Sequence, residues 1–394
     1  MHIAMTSEQT ALRDQLRGYF QELMTPALAA ECAVSEGGGP EYRKALKKMA
    51  SDGWLGIGWP TEYGGQGRSA IEQYIFADEC QRSGFPFPLL TVGTVGPTIM
   101  MYGSDEQKSR ILPKILKGEL HFCIGYSEPG AGTDLASLKT RAVKDEKTGE
   151  WVINGQKIFT SLADFADFVW LAARTNPEAP KHDGISIFIV PTNTPGFRYT
   201  PIHTVGDVTT TATYYDDVRV PESALVAGEG MGWGLIVSQL NHERVALMSV
   251  GLLGRLYEDT LSWSIETRRA DGSRVIDEPW IQLNLARARS KVEILKLLNW
   301  RQLWNITRVE PMNYAEASTV KVFGSEGYIE VYQLLLEVLG VDGLVRRDSP
   351  GEVLKGRVER MYRAMLILTF GGGTNEIQRE LIAMAGLAMP RSKR

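Results

Sequence analysis

The hydrophobic pattern of this chain changes period twice, and that switch restricts its fold more than any single motif does. Up to about residue 120, apolar residues recur at helical spacing. Leu12, Leu16, Tyr19, Phe20 and Leu23 follow an N-cap signal at Thr6-Ser7-Glu8-Gln9. The stretches around 42–50 and 71–81 repeat the pattern. A helix over 105–117 carries Pro113 near its middle, where a bend or break is expected. From about residue 121 the runs become short, β-branched and aromatic: Trp151-Val152-Ile153, Ile158-Phe159, 168–172 and 185–190. Turn signals separate them at Lys147-Thr148-Gly149, Asn154-Gly155 and Asp183-Gly184, and Asn-Gly between apolar runs reads as a hairpin. The Thr- and Tyr-rich stretch 197–220 continues the series to Pro221. After Gly228-Glu229-Gly230 helical spacing returns and persists to the end. Segregated blocks of this kind predict an α+β protein. It has a helical domain over 1–120, a small antiparallel β domain over 121–228 and a helical domain over 229–394. No GxGxxG follows a strand, which argues against a Rossmann nucleotide site.

Charge and cysteine usage narrow the function classes. A formal charge of −4 over 394 residues gives no electrostatic reason to bind nucleic acid or an anionic membrane. The basic cluster Arg391-Ser392-Lys393-Arg394 reads as a solvated tail. Cys32, Cys80 and Cys123 lack CxxC spacing and the five histidines do not cluster, so neither a disulfide framework nor a metal site is expected. No apolar run reaches membrane-spanning length and the first 25 residues lack a secretory h-region. The expectation is a cytoplasmic protein.

Three segments carry chemistry. In Tyr126-Ser127-Glu128-Pro129-Gly130-Ala131-Gly132-Thr133-Asp134, two glycines remove the Cβ atoms that would hold a flat or phosphorylated ligand away, and Ser127 and Thr133 add hydroxyls. The same residues also make an ordinary turn. Residues 235–257 read as one helix whose stripe of Ile236, Leu240, Leu247 and Val250 includes Glu243. A carboxylate on that face is either paired, for example with Arg244 or Arg255, or is a general base with its pKa raised by burial. Phe370-Gly371-Gly372-Gly373-Thr374-Asn375-Glu376 reads either as a helix corner capped by Thr374 or Asn375, or as backbone N–H groups aimed at a ligand.

Together with Val152-Ile153-Asn154-Gly155-Gln156-Lys157-Ile158-Phe159-Thr160-Ser161, Pro60-Thr61-Glu62-Tyr63-Gly64-Gly65 and Asp216-Asp217-Val218-Arg219-Val220-Pro221, these segments resemble the acyl-CoA dehydrogenase family over the full length. The resemblance implies the acyl-CoA dehydrogenase fold, with an N-terminal helical domain, a middle β domain, a C-terminal four-helix domain and FAD between them. It implies that Ile124, Tyr126, Ser127, Gly132 and Thr133 line the flavin, with Thr133 also near the thioester. Phe159, Thr160 and Ser161 stand where the family has Trp-Ile-Thr. Phe159 is thus expected against the ring and Ser161 near its N5, with Thr374 and Asn375 beside it. Arg244 and Asn241 would contact the acyl-CoA. Many members carry the catalytic base in a Glu-Gly-Thr motif, but here that position is Gly372. A minority carry it in a Glu-Arg pair on the helix that here holds Glu243-Arg244. The implied chemistry is removal of a Cα proton by Glu243 with hydride passing from Cβ to the flavin. The thioester oxygen would be stabilised by the Gly372 N–H and a ribityl hydroxyl. The implied electron acceptor is electron-transfer flavoprotein.

Two departures bear on assembly. Most members use Arg-x-x-Phe-Gly to hold the FAD pyrophosphate and adenosine across a dimer interface, and in residues 268–280 the Phe-Gly is missing. Most also have Gln-x-x-Gly-Gly-x-Gly, where this chain has Glu337 and Val341. The expectation is a chain that pairs with a homologous subunit supplying the pyrophosphate half, in an α2β2 heterotetramer with one FAD per heterodimer. The stretches 241–247 and 366–376 look close to the actinobacterial enzymes of sterol side-chain β-oxidation. The implied substrate is a steroid CoA such as 3-oxo-cholest-4-en-26-oyl-CoA. The rival expectations are a homotetrameric short- or branched-chain dehydrogenase, a flavin-free scaffold subunit, and an acyl-CoA oxidase.

Overall fold

The computed structural model describes residues 4–307 and 314–390, and of residues 240–247 only the backbone. The N-terminal block is α1 (Ser7–Leu23), α2 (Pro26–Cys32), α3 (Pro40–Ser51), α4 (Ala70–Ser83), α5 (Gly96–Tyr102) and α6 (Asp105–Leu116). Local chemistry sets several of these starts. Thr6, Ser69 and Ser104 each cap a helix through a reciprocal capping box with Gln9, Glu72 and Gln107. α6 runs unbroken through Pro113, contrary to the expected bend. The bond that Pro113 forfeits belongs to the carbonyl of Ser109, which is an exposed residue.

The middle block is a sheet of eight strands: β1 (Phe122–Gly125), β2 (Arg141–Lys144), β3 (Trp151–Lys157), β4 (Phe168–Arg174), β5 (Ile185–Pro191), β6 (Phe197–His203), β7 (Thr209–Val220) and β8 (Leu225–Val226). The order is β6-β7-β3-β2-β4-β5-β8. The sheet is mixed where a purely antiparallel one was expected: β1 and β2 both run parallel to β4. Asn154-Gly155 does not turn the chain. It lies inside β3 as a bulge against β7, with Gly155 at φ 152°. A Cβ on Gly155 would stand 2.7 Å from the Cα of Thr140, so the close approach of β2 requires glycine.

The C-terminal block is α7 (Gly232–Leu247), α8 (Gly251–Glu266), α9 (Pro279–Thr307), α10 (Tyr314–Leu339), α11 (Arg357–Met365) and α12 (Asn375–Leu381). The single helix expected over 235–257 is two. The chain breaks at residues 248–250, where partners from three other helices hold it. Ser249 Oγ donates to Asp78 (2.7 Å) and accepts the Gly251 N–H (3.1 Å). Asn299 donates to the Met248 carbonyl (2.7 Å), and the Tyr328 hydroxyl to that of Ser249. Apolar clusters fill α1–α4, both faces of the sheet, and the bundle of α8–α11. The cluster joining α5, α6, β1, β4 and β5 to Leu235 and Ile236 seats α7 against the sheet.

Candidate active site

The loop after β1 is fixed from beneath and open above. Glu128 and Ala131 exchange two backbone hydrogen bonds of 2.9 and 3.0 Å. The buried Glu128 carboxylate accepts from the Lys139 and Thr140 backbone N–H groups (2.7 and 2.8 Å) and from Lys157 Nζ (2.8 Å). Lys157 is 0% exposed and also donates to the Tyr126 carbonyl (3.1 Å). Burial lowers the Lys157 ammonium to about 8, against the attraction of Glu128. Burial raises the Glu128 carboxyl, but Lys157 and the hydrogen bonds outweigh it and hold the group below its ordinary range. On the other side, a Cβ at Gly130 or Gly132 would meet nothing within 4 Å. Thr133 is exposed and Ser127 half-buried. Ile124 pairs with Trp170 across β1 and β4. The Tyr126 side chain turns into the core, where its hydroxyl accepts from Trp170 Nε1 (3.1 Å) and donates to Gln239 Oε1 (2.5 Å). Tyr126 therefore ties the loop to α7 one turn before residue 243.

The end of β3 stands beside this loop, because the Ile158 N–H donates to the Ser127 carbonyl (2.9 Å). Phe159 then adopts φ 59°, and its ring is 62% exposed. A non-glycine residue held there stores strain of about 1–3 kcal/mol, and such residues concentrate at functional sites. The flanking bonds hold it in place. The Thr160 N–H donates to the Thr211 carbonyl (2.9 Å) and the Thr211 hydroxyl to the Thr160 carbonyl (2.7 Å). The wholly buried Thr160 hydroxyl meets that of Thr213 at 3.3 Å, so its side chain supports the turn from inside rather than facing the open side. Ser161 Oγ lies 3.1 Å from Thr210 Oγ1.

The triple glycine forms the helix corner that Thr374 caps, with an unusual backbone. Gly372 and Gly373 take φ of 68° and 94°, whereas a single left-handed residue ends an ordinary helix. The Gly372 N–H has no acceptor among the described residues. Thr374 caps α12 by accepting the Ile377 N–H (3.3 Å). The buried Lys321 of α10 donates to the Gly373 carbonyl (2.6 Å) and to Asn375 Oδ1 (2.7 Å), and Asn375 Nδ2 donates to Ser325 and Glu326. Asn375 is thus engaged with α10 and fixes the glycine turn.

Gly372 and Ser161 line one cavity of about 430 Å³, within the range of small-molecule sites. Phe85, Leu90, Phe122 and Leu368 are among its apolar walls. Ser127, Thr133, Phe159, Thr374 and Asn375 are not in its lining. The expected residues thus fall into an open face and a half-open pocket, and Ser161 lines the latter. The side chains of Asn241, Glu243 and Arg244 lie outside the described residues, although the α7 backbone is helical through them. Arg255, one expected partner of Glu243, lies 3.6 Å from Asp259 and donates to the Arg82 carbonyl.

Sequence reasoning missed Lys157, Lys321 and Gln239. Lys157 shares strand parity with the buried Trp151 and Ile153, which was a readable signal. Lys321 lies among the buried Ala317, Val320, Gly324 and Tyr328 of α10.

Three family models match in order: the acyl-CoA dehydrogenase N-terminal domain over residues 6–119, the middle domain over 123–218 and the C-terminal domain over 230–387. Acyl-CoA dehydrogenase FadE26 of Mycobacterium tuberculosis is 52% identical over 402 residues, covering 100% of both chains. The long-chain specific mitochondrial acyl-CoA dehydrogenase of Sus scrofa is 31% identical over 96% of this chain and 86% of its own. Among solved structures, the ChsE4-ChsE5 complex from Mycobacterium tuberculosis superposes with a TM-score of 0.92 at 54% identity. The Tcur3481-Tcur3483 steroid ACAD superposes at 0.93 and 49%, and each match covers 100% of both chains.

Proposed function

The chain belongs to the acyl-CoA dehydrogenase family of oxidoreductases, and we propose that it is the base-bearing subunit of a heteromeric member that dehydrogenates a steroid side-chain CoA thioester. Members of the family are FAD-binding flavoproteins. The open face fits the ring half of that cofactor: two glycines with free space above them, the hydroxyls of Ser127 and Thr133, and the exposed Phe159 ring. When bound, FAD supplies the acceptor for the Cβ hydride. Glu243 removes the Cα proton, and the Gly372 N–H donates to the thioester oxygen as enolate charge develops there. Lys321 holds the turn that presents this N–H. Arg244 and Asn241 bind the CoA portion, and electrons leave to electron-transfer flavoprotein.

The observation that carries the heteromeric reading is how residues 268–280 spend their charge. Arg269 pairs with Glu278, Arg274 with Asp277 (2.7 Å), and Arg268 donates to the Gly272 carbonyl (3.2 Å). A pyrophosphate is best held by uncommitted cations, and Arg269 and Arg274 are already paired within their own loop, which leaves the exposed Arg268. Glu337 accepts from Asn284 (2.6 Å) and remains exposed, while Val341 projects outward at 80% exposure. These residues do not fit the pyrophosphate half of FAD, which this reading assigns to another chain. A surface for that chain is available. Trp280, Leu283, Ile294, Leu297 and Trp304 are exposed along one face of α9. Arg287, Ser290 and Arg301 are exposed on the same face, so it mixes apolar and charged side chains as the rims of protein contacts do. The solved relatives named above include a steroid enzyme and a two-protein complex, which supports the substrate and the pairing.

The role of Glu243 is tested by Glu243→Gln in the co-expressed complex. Turnover should fall about 10²–10⁴-fold with FAD retained. Unchanged turnover would instead favour a scaffold subunit.

A further inference from the structure

The chamber that begins at Gly372 and Ser161 does not end in apolar side chains alone. Its lining also includes Arg360 on α11 and Glu36 in the turn after α2. α11 carries three arginines at three-residue spacing. Arg357 donates to Asp259 (3.3 Å). Arg363 takes both Glu359 (2.6 Å) and Asp207 (2.5 Å). Arg360 makes no hydrogen bond or ion pair with a described residue, and its Nε is buried without an acceptor. Asp207, the carboxylate whose charge acts on it most, is already spent on Arg363. Glu36 likewise makes no hydrogen bond or ion pair with a described residue. Glu36 is exposed as a residue, yet the protein atoms crowding its carboxyl raise it above the ordinary range, against the nearby charge of Arg360.

Native structures leave few buried donors without an acceptor, and polar groups set into an apolar chamber commonly fix a ligand's orientation. Arg360 and Gly372 are twelve residues apart through α11 and the short turn after it. The helical part of that path, Arg360 to Thr369, rises about 14–18 Å at 1.5–2 Å per residue, a length comparable to a fused-ring skeleton.

We propose that Arg360, with Glu36 as its counter-charge, forms a distal subsite for a ketone oxygen at the end of the acyl group remote from the thioester. Guanidinium is a donor without acceptor capacity and a ketone is the reverse, so the pair is matched. A hydrogen bond to a charged group discriminates by about 10- to 100-fold against the analogue that lacks the acceptor. This inference rests on the reading of the chain as a dehydrogenase of bulky steroid acyl groups.

The test uses the complex co-expressed with its partner chain. Two steroid side-chain CoA thioesters are compared, identical except for a ketone on the ring farthest from the side chain. The expected kcat/KM ratio is about 10–100 in favour of the ketone, chiefly through KM. Arg360→Met should bring the ratio close to unity, and Arg360→Lys should restore part of it. Both thioesters meet the same enzyme preparation, so partial misfolding of a variant does not alter the ratio. Equal use of the two thioesters by the native complex, or an unchanged ratio in Arg360→Met, overturns the subsite and leaves the steroid reading intact. If neither steroid thioester reacts while straight-chain acyl-CoA does, both ideas fall together.

Discussion

Lys157 and Glu128 show how single residues decide the shape of this site. Neither touches the open face, yet together they hold the loop that forms it. Lys157 binds the Tyr126 carbonyl at one end of the loop, and Glu128 binds the Thr140 N–H beyond the other. Removing one member of a buried pair strands the other charge. Lys157→Met should therefore cost about 3–5 kcal/mol of stability, read from urea unfolding. It should also weaken FAD retention in the complex, because the loop loses the Lys157 bonds to the Tyr126 carbonyl and Glu128 and keeps only the Ile158 N–H bond to Ser127. A variant as stable as the native chain would mean that the pair does not organise the loop. The glycine spacing and Phe159 were legible in the sequence because they sit in one short stretch each. The Lys157–Glu128 pair was not, since its members lie on different elements and only the folded sheet brings them together. Thr160 and Tyr126 teach the related lesson that a position within a motif does not fix which way its side chain turns. Both side chains point into the protein.

At the scale of elements, the sequence was most readable where the determinant was local. The capping boxes at Thr6, Ser69 and Ser104 set three helix starts through residues three apart. Asn154-Gly155 was misread because a hairpin and a bulge share the same residues. What selects the bulge is β2 and β7 flanking β3 on both sides, which no local window contains. The same reason hides the break between α7 and α8, where Ile236 and Val250 keep helical spacing while Asp78, Asn299 and Tyr328 impose the interruption. Gly155→Ala tests the bulge. A side chain there would meet the Thr140 backbone in a conformation that disfavours any Cβ, so a loss of about 1–3 kcal/mol is expected from thermal unfolding. A neutral substitution would show that β2 can move aside.

For the whole molecule, the order of helices, sheet and helices was legible because hydrophobic period survives without tertiary information. The assembly was legible only as a deficit: a Phe-Gly that is missing and a Gln that has become Glu337. The structure adds that Arg269 and Arg274 are paired with Glu278 and Asp277 in their own loop. The exposed stripe on α9 supplies a face to bury. Under the proposed function, the chain carries half of a cofactor site and becomes an enzyme on pairing. The central claim is tested most directly by the FAD content of this chain purified alone and purified with its homologous partner, measured by absorbance against protein concentration. The account predicts little FAD and no turnover for the chain alone, and one FAD per pair of unlike chains in the active complex. Full FAD and activity on the chain alone would contradict it.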